Sequence, residues 1–264
     1  MIIGLQNTKI VRRTINKGTK VVDEPFDKSN LYGEEFDKQE QKRLELGTGS
    51  NDFSLKTTNI VDTSNISVAD YLVAFSGNTE NYCVGLVDMV NSTKMAAILG
   101  NGKISQYYEV FLNSMSKILS RFGGFVIKNV GDCLVYYFPE SSKPNRKFGF
   151  MSCLECSLAM IEYHDTICKR LKEEGLPCVD YRISADYGSV VLMKSNNSSS
   201  IDMIGTPVNM CSKINHVAVT NGVVIGGDLY SMVRHFGDYK FREVKGFSLG
   251  FKHSYPVYSV GRKQ

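Results

Sequence analysis

The feature that most limits the fold is a short hairpin between two long helical patterns. In residues 125–138, FVIKNVGDCLVYYF, two apolar runs flank the turn KNVGD, whose glycine permits a tight reversal. Before this hairpin, apolar residues recur at steps of three and four, at Ile104, Tyr108, Phe111, Met115, Ile118 and Phe122. That spacing is typical of one face of an amphipathic helix, which Gly123 and Gly124 end. The sequence therefore predicts a strand pair that directly follows a long helix.

The alternation of strands and helices continues on both sides. YCVGLVDM, from Tyr82, is typical of a buried strand, and after the hairpin a second long helical stripe runs over Met151, Leu154, Leu158, Ile161, Cys168 and Leu171. VDYRISADYG alternates as a half-buried strand does, and GSVVLMK is predicted to fold back as its partner. A helix in GTPVNMCSKINHVA, a strand in GVVIGG, a helix in DLYSMVRHF and a terminal strand pair follow. Helices alternating with paired strands predict an α+β domain, an antiparallel or mixed sheet covered by helices.

Composition excludes several classes of protein. The chain is 42% hydrophobic and 22% charged, which is ordinary for a soluble globular protein. Its net charge is +4, with basic and acidic residues interspersed, so nucleic-acid binding gains no support. No apolar run approaches the roughly 20 residues that span a bilayer, and the N-terminal residues do not resemble a secretory signal. We therefore expect a cytoplasmic protein with no nucleic-acid partner and no membrane insertion.

The chain divides into two parts of different character. Residues 1–78 are polar and of mixed charge, and we expect a partly ordered extension whose role the sequence does not indicate. Residues 79–264 carry the periodic patterns and form the predicted folded domain. The seven cysteines are odd in number and lie mostly in apolar patterns, which predicts buried thiols in a reducing compartment. Cys153 and Cys156 form a CxxC that we expect to pack in the core and not to bind zinc.

Two carboxylates lie where strands end. Asp88 closes the apolar run VGLVD, and Asp132 lies in the hairpin turn KNVGD. If their strands are neighbours in the sheet, the two acids can share divalent metal ions, or one can acquire a raised pKa for acid/base chemistry. Each acid taken alone could equally well cap a turn or a helix.

Three motifs around these acids resemble the catalytic domain of class III nucleotidyl cyclases. The motifs are VGLVDMVNST, IKNVGD and IDMIGTPVNMCSKI, in this order and at these separations. The resemblance runs from about Tyr82 to about Val260 and does not include the N-terminal extension. It implies a ferredoxin-like sheet covered by helices, and an activity that converts a nucleoside triphosphate into a cyclic nucleotide and pyrophosphate.

The resemblance also implies a metal site. Asp88 and Asp132 match the metal-binding carboxylates of the family, with the backbone carbonyl of Met89 as a further ligand. Hard oxygen ligands suit Mg²⁺ or Mn²⁺, and two ions are expected: one lowers the pKa of the ribose 3′-hydroxyl and the other neutralises triphosphate charge. The turn after Asp88, with Asn91, Ser92 and Thr93, opens a helix whose free N–H groups are expected to contact phosphate.

Two further residues match the base-recognising pair of cyclases that act on ATP. Lys128 can donate to adenine N1, and Asp202 can accept from the N6 amino group. The pair does not forbid guanine, whose O6 could accept from the lysine while its N1–H donates to the aspartate. Lys128 alone could be a solvated hairpin residue, and Asp202 alone a loop acid or helix N-cap.

The remaining predicted site residues include one departure from the family. Asn209 matches the asparagine that orients the ribose. Four residues later the family usually carries an arginine that stabilises the transition state, and here that position is Lys213. Lysine keeps the charge but lacks the planar fork, so we expect lower activity, altered substrate geometry, or nucleotide binding without turnover. Lys245, in EVKGF, resembles a triphosphate-binding lysine of the family.

In the family, the metal site of one domain faces the base-binding site of a second domain. The resemblance therefore implies a homodimer with shared active sites, in which one subunit contributes Asp88 and Asp132 and the other contributes Lys128, Asp202, Asn209 and Lys213. The resulting prediction is a cyclase that converts ATP into cyclic AMP. A weak or inactive nucleotide-binding regulatory module is one alternative, and a cyclase acting on GTP or a pyrimidine nucleotide is another.

Overall fold

The computed structural model describes residues 73–143, 145–195, 201–245 and 255–263. The predicted extension lies outside these residues except for its last six, because the first strand begins at Val73. In chain order the elements are β1 (Val73–Met89), α1 (Ser92–Arg121), β2 (Phe125–Val130), β3 (Cys133–Phe138), a 3-10 turn (Pro139–Ser142), α2 (Lys147–Glu162), α3 (His164–Glu173), β4 (Tyr181–Ser195), β5 (Ile201–Gly205), α4 (Thr206–Asn215), β6 (Gly222–Gly226), α5 (Gly227–Val233), β7 (Tyr239–Glu243) and β8 (Val257–Arg262).

All eight described strands form one mixed sheet. Its order is β2-β3-β1-β4-β6-β8-β7, and β5 pairs with β4 outside this path. The central strand β1 is antiparallel to both β3 and β4, whereas β4 and β6 run parallel. The first four strands with their helices follow the β-α-β-β-α-β pattern of ferredoxin-like folds. The predicted α+β fold is therefore confirmed.

Both faces of the central strands are covered. On one face Val87 and Met89 join the main hydrophobic cluster with Phe111 and Met115 of α1 and Leu154 of α2. Residues of opposite parity on β1, Val84 and Leu86, form a second cluster with Val190, Met203 and Cys211. Because successive side chains of a strand point to opposite faces, Asp88 shares the face of Leu86, which α4 covers.

The structure corrects the predicted hairpin in residues 179–194. These residues belong to the single strand β4, which pairs with β1 along almost its whole length. Gly188, interpreted as a turn glycine, lies inside the strand opposite Tyr82. A Cβ there would be 3.4 Å from Cδ of Pro207, so this glycine marks a close approach of α4 to the sheet.

The second long helical pattern is also divided. It forms α2 and α3, which meet at Tyr163, a residue with φ −86° and ψ 2°. In α1 the regular backbone is interrupted once, at Gly100, where φ is +68°. Among the described helices, none combines the length and apolar character that crossing a bilayer requires.

The cysteines are only partly as predicted. Cys153 and Cys156 are fully buried in the core, as expected, and Cys83 and Cys211 are also buried as free thiols. Cys168 and Cys178 instead form a disulfide, which the expectation of seven thiols did not include. Apolar spacing located Cys168 on its helix but carried no information on which segment would pack beside it.

Candidate active site

Asp88 and Asp132 meet at one end of the β1–β3 pair. Asp88 is the register partner of Cys133, the residue that follows Asp132 after the β2–β3 turn. The two acids line one cavity of about 260 Å³ together with Leu86, Val130, Cys133, Ser212, Asn215 and His216. The antiparallel pairing of β1 with β3 thus brings together two carboxylates 44 positions apart in the sequence.

The electrostatics of this cavity suit a cation. Burial and the charge of Asp132 raise the pKa of Asp88, the guanidinium of Arg182 acts in the opposite direction, and the resulting pKa is about 6. Burial and the two carboxylates also raise the pKa of the Cys133 thiol, to about 12, so this sulfur stays protonated at neutral pH. The negatively charged oxygen donors of the cavity lining are the two carboxylates, which are the ligands that Mg²⁺ and Mn²⁺ prefer. The residues present fit the metal site that the family implies.

The turn after Asp88 leads directly into α1. Met89 is buried and pairs with Tyr181 on β4, and the amide of Val90 donates to the carbonyl of Asp180 at 2.8 Å. Asn91 takes the N-cap position of α1 in a left-handed conformation, with φ 60° and ψ 30°. Ser92 and Thr93 form the first turn, which carries no acidic side chain. The N-terminal end of the helix dipole is therefore not compensated locally, which favours a nearby anion.

Lys128 and Asp202 form an ion pair across two strands. The Lys128 ammonium donates to Oδ2 of Asp202 at 2.6 Å, and the amide of Met203 donates to Oδ1 of the same carboxylate at 2.7 Å. The β2–β3 register shifts between Val126 and Lys128, and such a bulge re-aims the side chains that follow it. Asp202 lies in β5, so it is not a helix N-cap. The donor and the acceptor predicted to read a base are thus adjacent.

Asn209 and Lys213 lie one turn apart on α4. Both are on its exposed side, while Met210, Cys211, Ile214 and Asn215 pack against the sheet. This pair does not line the carboxylate cavity. At the C-terminal end of α4 the lining residues are Ser212, Asn215 and His216. Lys245 is exposed and follows β7, which three strands separate from β1. Within one chain, neither Lys245 nor the α4 pair joins Asp88 and Asp132.

Sequence reasoning missed two polar residues beside the carboxylates. Arg182 is the β4 register partner of Asp88, and its Nε is buried with no hydrogen-bond partner among the described residues. Asn215 is buried, and its amide donates to the carbonyl of Arg182 at 3.2 Å and to Oγ of Ser184 at 3.3 Å. The alternation of β4 suggested a solvated polar face, whereas α4 covers it. Only the pairing of β4 with β1 could have identified Arg182.

Known proteins resemble this chain in sequence and in fold. A family model described as the Adenylate and Guanylate cyclase catalytic domain matches residues 75–260. The chain is 24% identical over 141 residues to an adenylate cyclase from Anabaena cylindrica, covering 53% of this chain and 28% of that protein. It is 25% identical over 161 residues to a cytidylate cyclase from Staphylococcus aureus, covering 58% of this chain and 38% of that protein. The matched stretches therefore span well under half the length of these relatives.

Solved structures share the fold. The adenylyl cyclase CyaB from P. aeruginosa superposes with a TM-score of 0.64 at 20% identity, covering 71% of this chain and 96% of the other. A dimeric guanylyl cyclase domain of the RhoGC fusion protein from Blastocladiella emersonii gives a TM-score of 0.60 at 16% identity, covering 71% and 100%. At these identities the likeness concerns the fold of the chain and not its substrate.

Proposed function

Because this chain belongs to the adenylate and guanylate cyclase catalytic domain family, we propose that it converts ATP into 3′,5′-cyclic AMP and pyrophosphate. The observation that carries the choice of ATP is the Lys128–Asp202 pair, whose ammonium and carboxylate are 2.6 Å apart. Adenine offers an acceptor at N1 beside a donor at its N6 amino group, which matches this adjacent donor and acceptor.

A second candidate keeps the reaction and changes the base. Cytosine also offers a ring acceptor, N3, beside an amino donor, N4, so the same pair is complementary to its edge. The likeness to a protein named cytidylate cyclase favours this candidate over other pyrimidines. Guanine could use O6 and N1–H with the same two side chains. The size of the base separates cytosine from adenine and guanine, since a purine reaches further from its ribose than a pyrimidine.

Divalent ions are part of the proposal. Asp88 and Asp132 would hold Mg²⁺ or Mn²⁺, with the backbone carbonyl of Met89 as a further ligand. When bound, such ions lower the pKa of the ribose 3′-hydroxyl and neutralise charge on the triphosphate.

The chain's own groups hold the substrate for an in-line attack. The α1 N-terminus at Asn91, Ser92 and Thr93 and the guanidinium of Arg182 favour phosphate oxygens near the carboxylates. Asn209 orients the ribose, while Lys213 and Lys245 supply positive charge toward the triphosphate. The ribose 3′-hydroxyl gives its proton to solvent, its oxygen forms a bond to the α-phosphorus, and the bond from that phosphorus to the bridging oxygen of the leaving pyrophosphate breaks.

The same proposal requires two copies of the chain. Asn209 and Lys213 lie on the exposed side of α4, outside the cavity that Asp88 and Asp132 line. A second copy can bring its own α4 to that cavity, and two-fold symmetry then creates two equal composite sites. A RhoGC domain of the same fold is described as a non-canonical dimer, which supports dimerisation of this fold but not this particular placement of α4.

The test is an assay that separates the substrates. The purified full chain is incubated with Mn²⁺ and each of ATP, GTP, CTP and UTP, and the products are identified by mass spectrometry. We expect cyclic AMP, and no product from Asp88→Asn protein that keeps the wild-type circular dichroism spectrum. Cyclic CMP or cyclic GMP as the main product would replace ATP by that substrate. Nucleotide binding without any cyclic product would support a regulatory module instead of an enzyme.

A further inference from the structure

A cluster of side chains typical of zinc sites lies outside the carboxylate cavity. His164, Cys168 and Cys178 bring their ligand atoms within 4.8 Å of one another, and Asp180 lies beside them. We propose that these four residues bind a zinc ion when Cys168 and Cys178 are reduced. The proposed cyclase activity is not part of this inference.

The chain supplies the four ligands as two pairs. His164 and Cys168 are four residues apart on α3 and therefore lie on the same side of the helix. Cys178 and Asp180 are two residues apart in the segment between α3 and β4. The pair on α3 faces the pair in the following segment. Only ten positions in the sequence separate the two cysteines.

The distances from His164 match the edges of a zinc tetrahedron. Its Nε2 lies 3.6 Å from Sγ of Cys168, 3.9 Å from Sγ of Cys178 and 3.5 Å from Oδ1 of Asp180. Zinc bonds of about 2.0–2.1 Å to nitrogen and about 2.3 Å to sulfur, at tetrahedral angles, place two ligand atoms roughly 3.5 Å apart. The distances from Nε2 of His164 to the three other donor atoms are therefore close to those between ligands of one zinc ion.

The two sulfurs are joined in this structure, so metal binding must follow reduction. A thiol reductant supplies the two electrons: two of its thiols become a disulfide, and Cys168 and Cys178 become thiols. Each cysteine then gives up its proton as its thiolate coordinates the ion, so binding one ion releases two protons. The disulfide and the zinc site are therefore alternative states of the same two residues.

The surroundings of His164 fit both states. Nε2 lies 3.0 Å from the carbonyl of Val179, to which it can donate when protonated. Nδ1 lies 3.3 Å from Oδ1 of Asp165, so a proton on Nδ1 would have a carboxylate partner while Nε2 coordinates metal. Such a second hydrogen bond is the usual support of a zinc-bound histidine. Cys168 is buried and Cys178 exposed, so the ion can enter from solvent.

The site adjoins the segment that holds the turn after Asp88. The Tyr107 hydroxyl of α1 donates to the carbonyl of Cys178 at 3.2 Å, and the Val90 amide donates to that of Asp180 at 2.8 Å. An ion bound here would cross-link α3 to this segment. We expect zinc to raise the melting temperature of the reduced protein, because binding to the folded state alone stabilises it.

The test measures zinc on the reduced full chain. Protein is treated with a phosphine reductant, loaded with zinc, freed of excess metal and analysed by elemental mass spectrometry. The protein used for this measurement also carries Asp88→Asn and Asp132→Asn, so that the carboxylate cavity does not bind metal. We expect about one zinc per chain, with affinity lowered at least roughly 10-fold by Cys178→Ser or His164→Gln. The matched control His235→Gln, at an exposed histidine, should keep the wild-type affinity.

A second measurement needs no variant that could misfold. Zinc should slow alkylation of Cys178 in the reduced wild-type protein at least roughly 10-fold, because a coordinated thiolate is shielded. Addition of a chelator should restore the rate. Reduced protein that holds no zinc, or equal alkylation with and without zinc, would overturn the proposal, as would wild-type zinc affinity in both folded ligand variants.

Discussion

Lys213 occupies the position at which the resemblance to class III nucleotidyl cyclases predicts an arginine. Arginine offers two parallel donors to a phosphate, whereas lysine offers a compact charge that binds it from one direction. If Lys213 stabilises the transition state, restoring the planar fork should strengthen that contact.

We therefore expect Lys213→Arg to raise kcat by several-fold, up to about 10-fold, or about 1.4 kcal/mol of transition-state stabilisation. Steady-state rates of cyclic nucleotide formation measure this. Lys240→Arg, at an exposed lysine of β7, is the matched control and should leave kcat unchanged. A lower kcat in Lys213→Arg protein would mean that the lysine has a role that arginine cannot take.

Asp186 is a second residue whose environment makes a measurable prediction. It is fully buried, and burial raises its pKa to about 6, although hydrogen bonds from the Tyr255 hydroxyl and from the amides of Tyr187 and Leu229 act in the opposite direction. An unfolded aspartate titrates near about 3.9, so the folded form holds this proton more tightly. Its contribution to stability is therefore fully present below about pH 4 and is lost as the pH rises to about 6.

Asp186→Asn should lack this pH dependence. Relative to the variant, the free energy of unfolding of the wild type should fall by about 1 kcal/mol between pH 5 and pH 7.5. Urea denaturation at the two pH values measures the difference, and Glu109→Gln, at an exposed acid of α1, should follow the wild type. Identical pH dependence in Asp186→Asn protein and the wild type would contradict the raised pKa.

The sequence alone predicted only some of the residues of the candidate site. Lys128 and Asp202 could be predicted as a candidate pair because each lies in a motif, but β2 and β5 are not paired in the sheet, and only the structure shows that their charged groups lie 2.6 Å apart. Arg182 could not, because a single charged residue in an alternating strand is typical of a solvated face. Its position beside Asp88 depends on strand register, which the sequence does not encode locally.

At the scale of elements, the pairing of β1 with β3 depends on a glycine. Gly85 is the register partner of Tyr136, and a Cβ at Gly85 would lie 2.2 Å from the buried Tyr136 ring. The ring therefore fills the space that a side chain on β1 would need. Since Asp88 is three residues further along the same strand, the packing at this point also helps to fix the carboxylate.

Gly85→Ala should destabilise the protein by about 1–3 kcal/mol, because the ring must move within a packed core. Chemical denaturation gives the free energy of unfolding. Gly261→Ala, on β8, is a suitable control, since a Cβ at that position would meet no atom within 4 Å, and its effect should stay within about 0.5 kcal/mol. Equal stabilities of the two variants would argue against this packing.

Periodicity predicted the long elements better than their ends. The step of three and four in residues 104–122 correctly located the buried side of α1, because those side chains meet the sheet. The same patterns wrongly predicted a turn at Gly188, which lies within β4 where α4 crosses it. They also predicted one continuous helix across Tyr163, where the structure has two helices. Both errors arise from tertiary contacts, which a local pattern does not report.

At the scale of the whole molecule, the separation of Asn209 from Asp88 within one chain makes dimerisation testable. Asp88→Ala and Asn209→Ala proteins should each be inactive alone. If each active site takes one residue from each chain, a mixed dimer contains one intact site and one doubly altered site.

Equal amounts of the two variants, allowed to exchange subunits, should therefore recover about a quarter of wild-type activity, since half of the dimers are mixed and half of their sites are intact. The rate of cyclic nucleotide formation before and after mixing measures this. Mixing Asp88→Ala with Asp132→Ala is the control and should restore nothing, because both acids belong to the same half of the site. Failure of the first mixture to recover activity would exclude the composite site.

If Lys128 and Asp202 bind the base as proposed, their ion pair affects how the protein discriminates between nucleotides. The ammonium of Lys128 already donates to the carboxylate of Asp202. A base that binds to both groups must therefore replace this hydrogen bond with its own. A ring that presents only one of the two matching groups can open the pair but leaves one charge without a partner. The preference for one base over another at this position therefore depends partly on an ion pair that the protein already contains without a ligand.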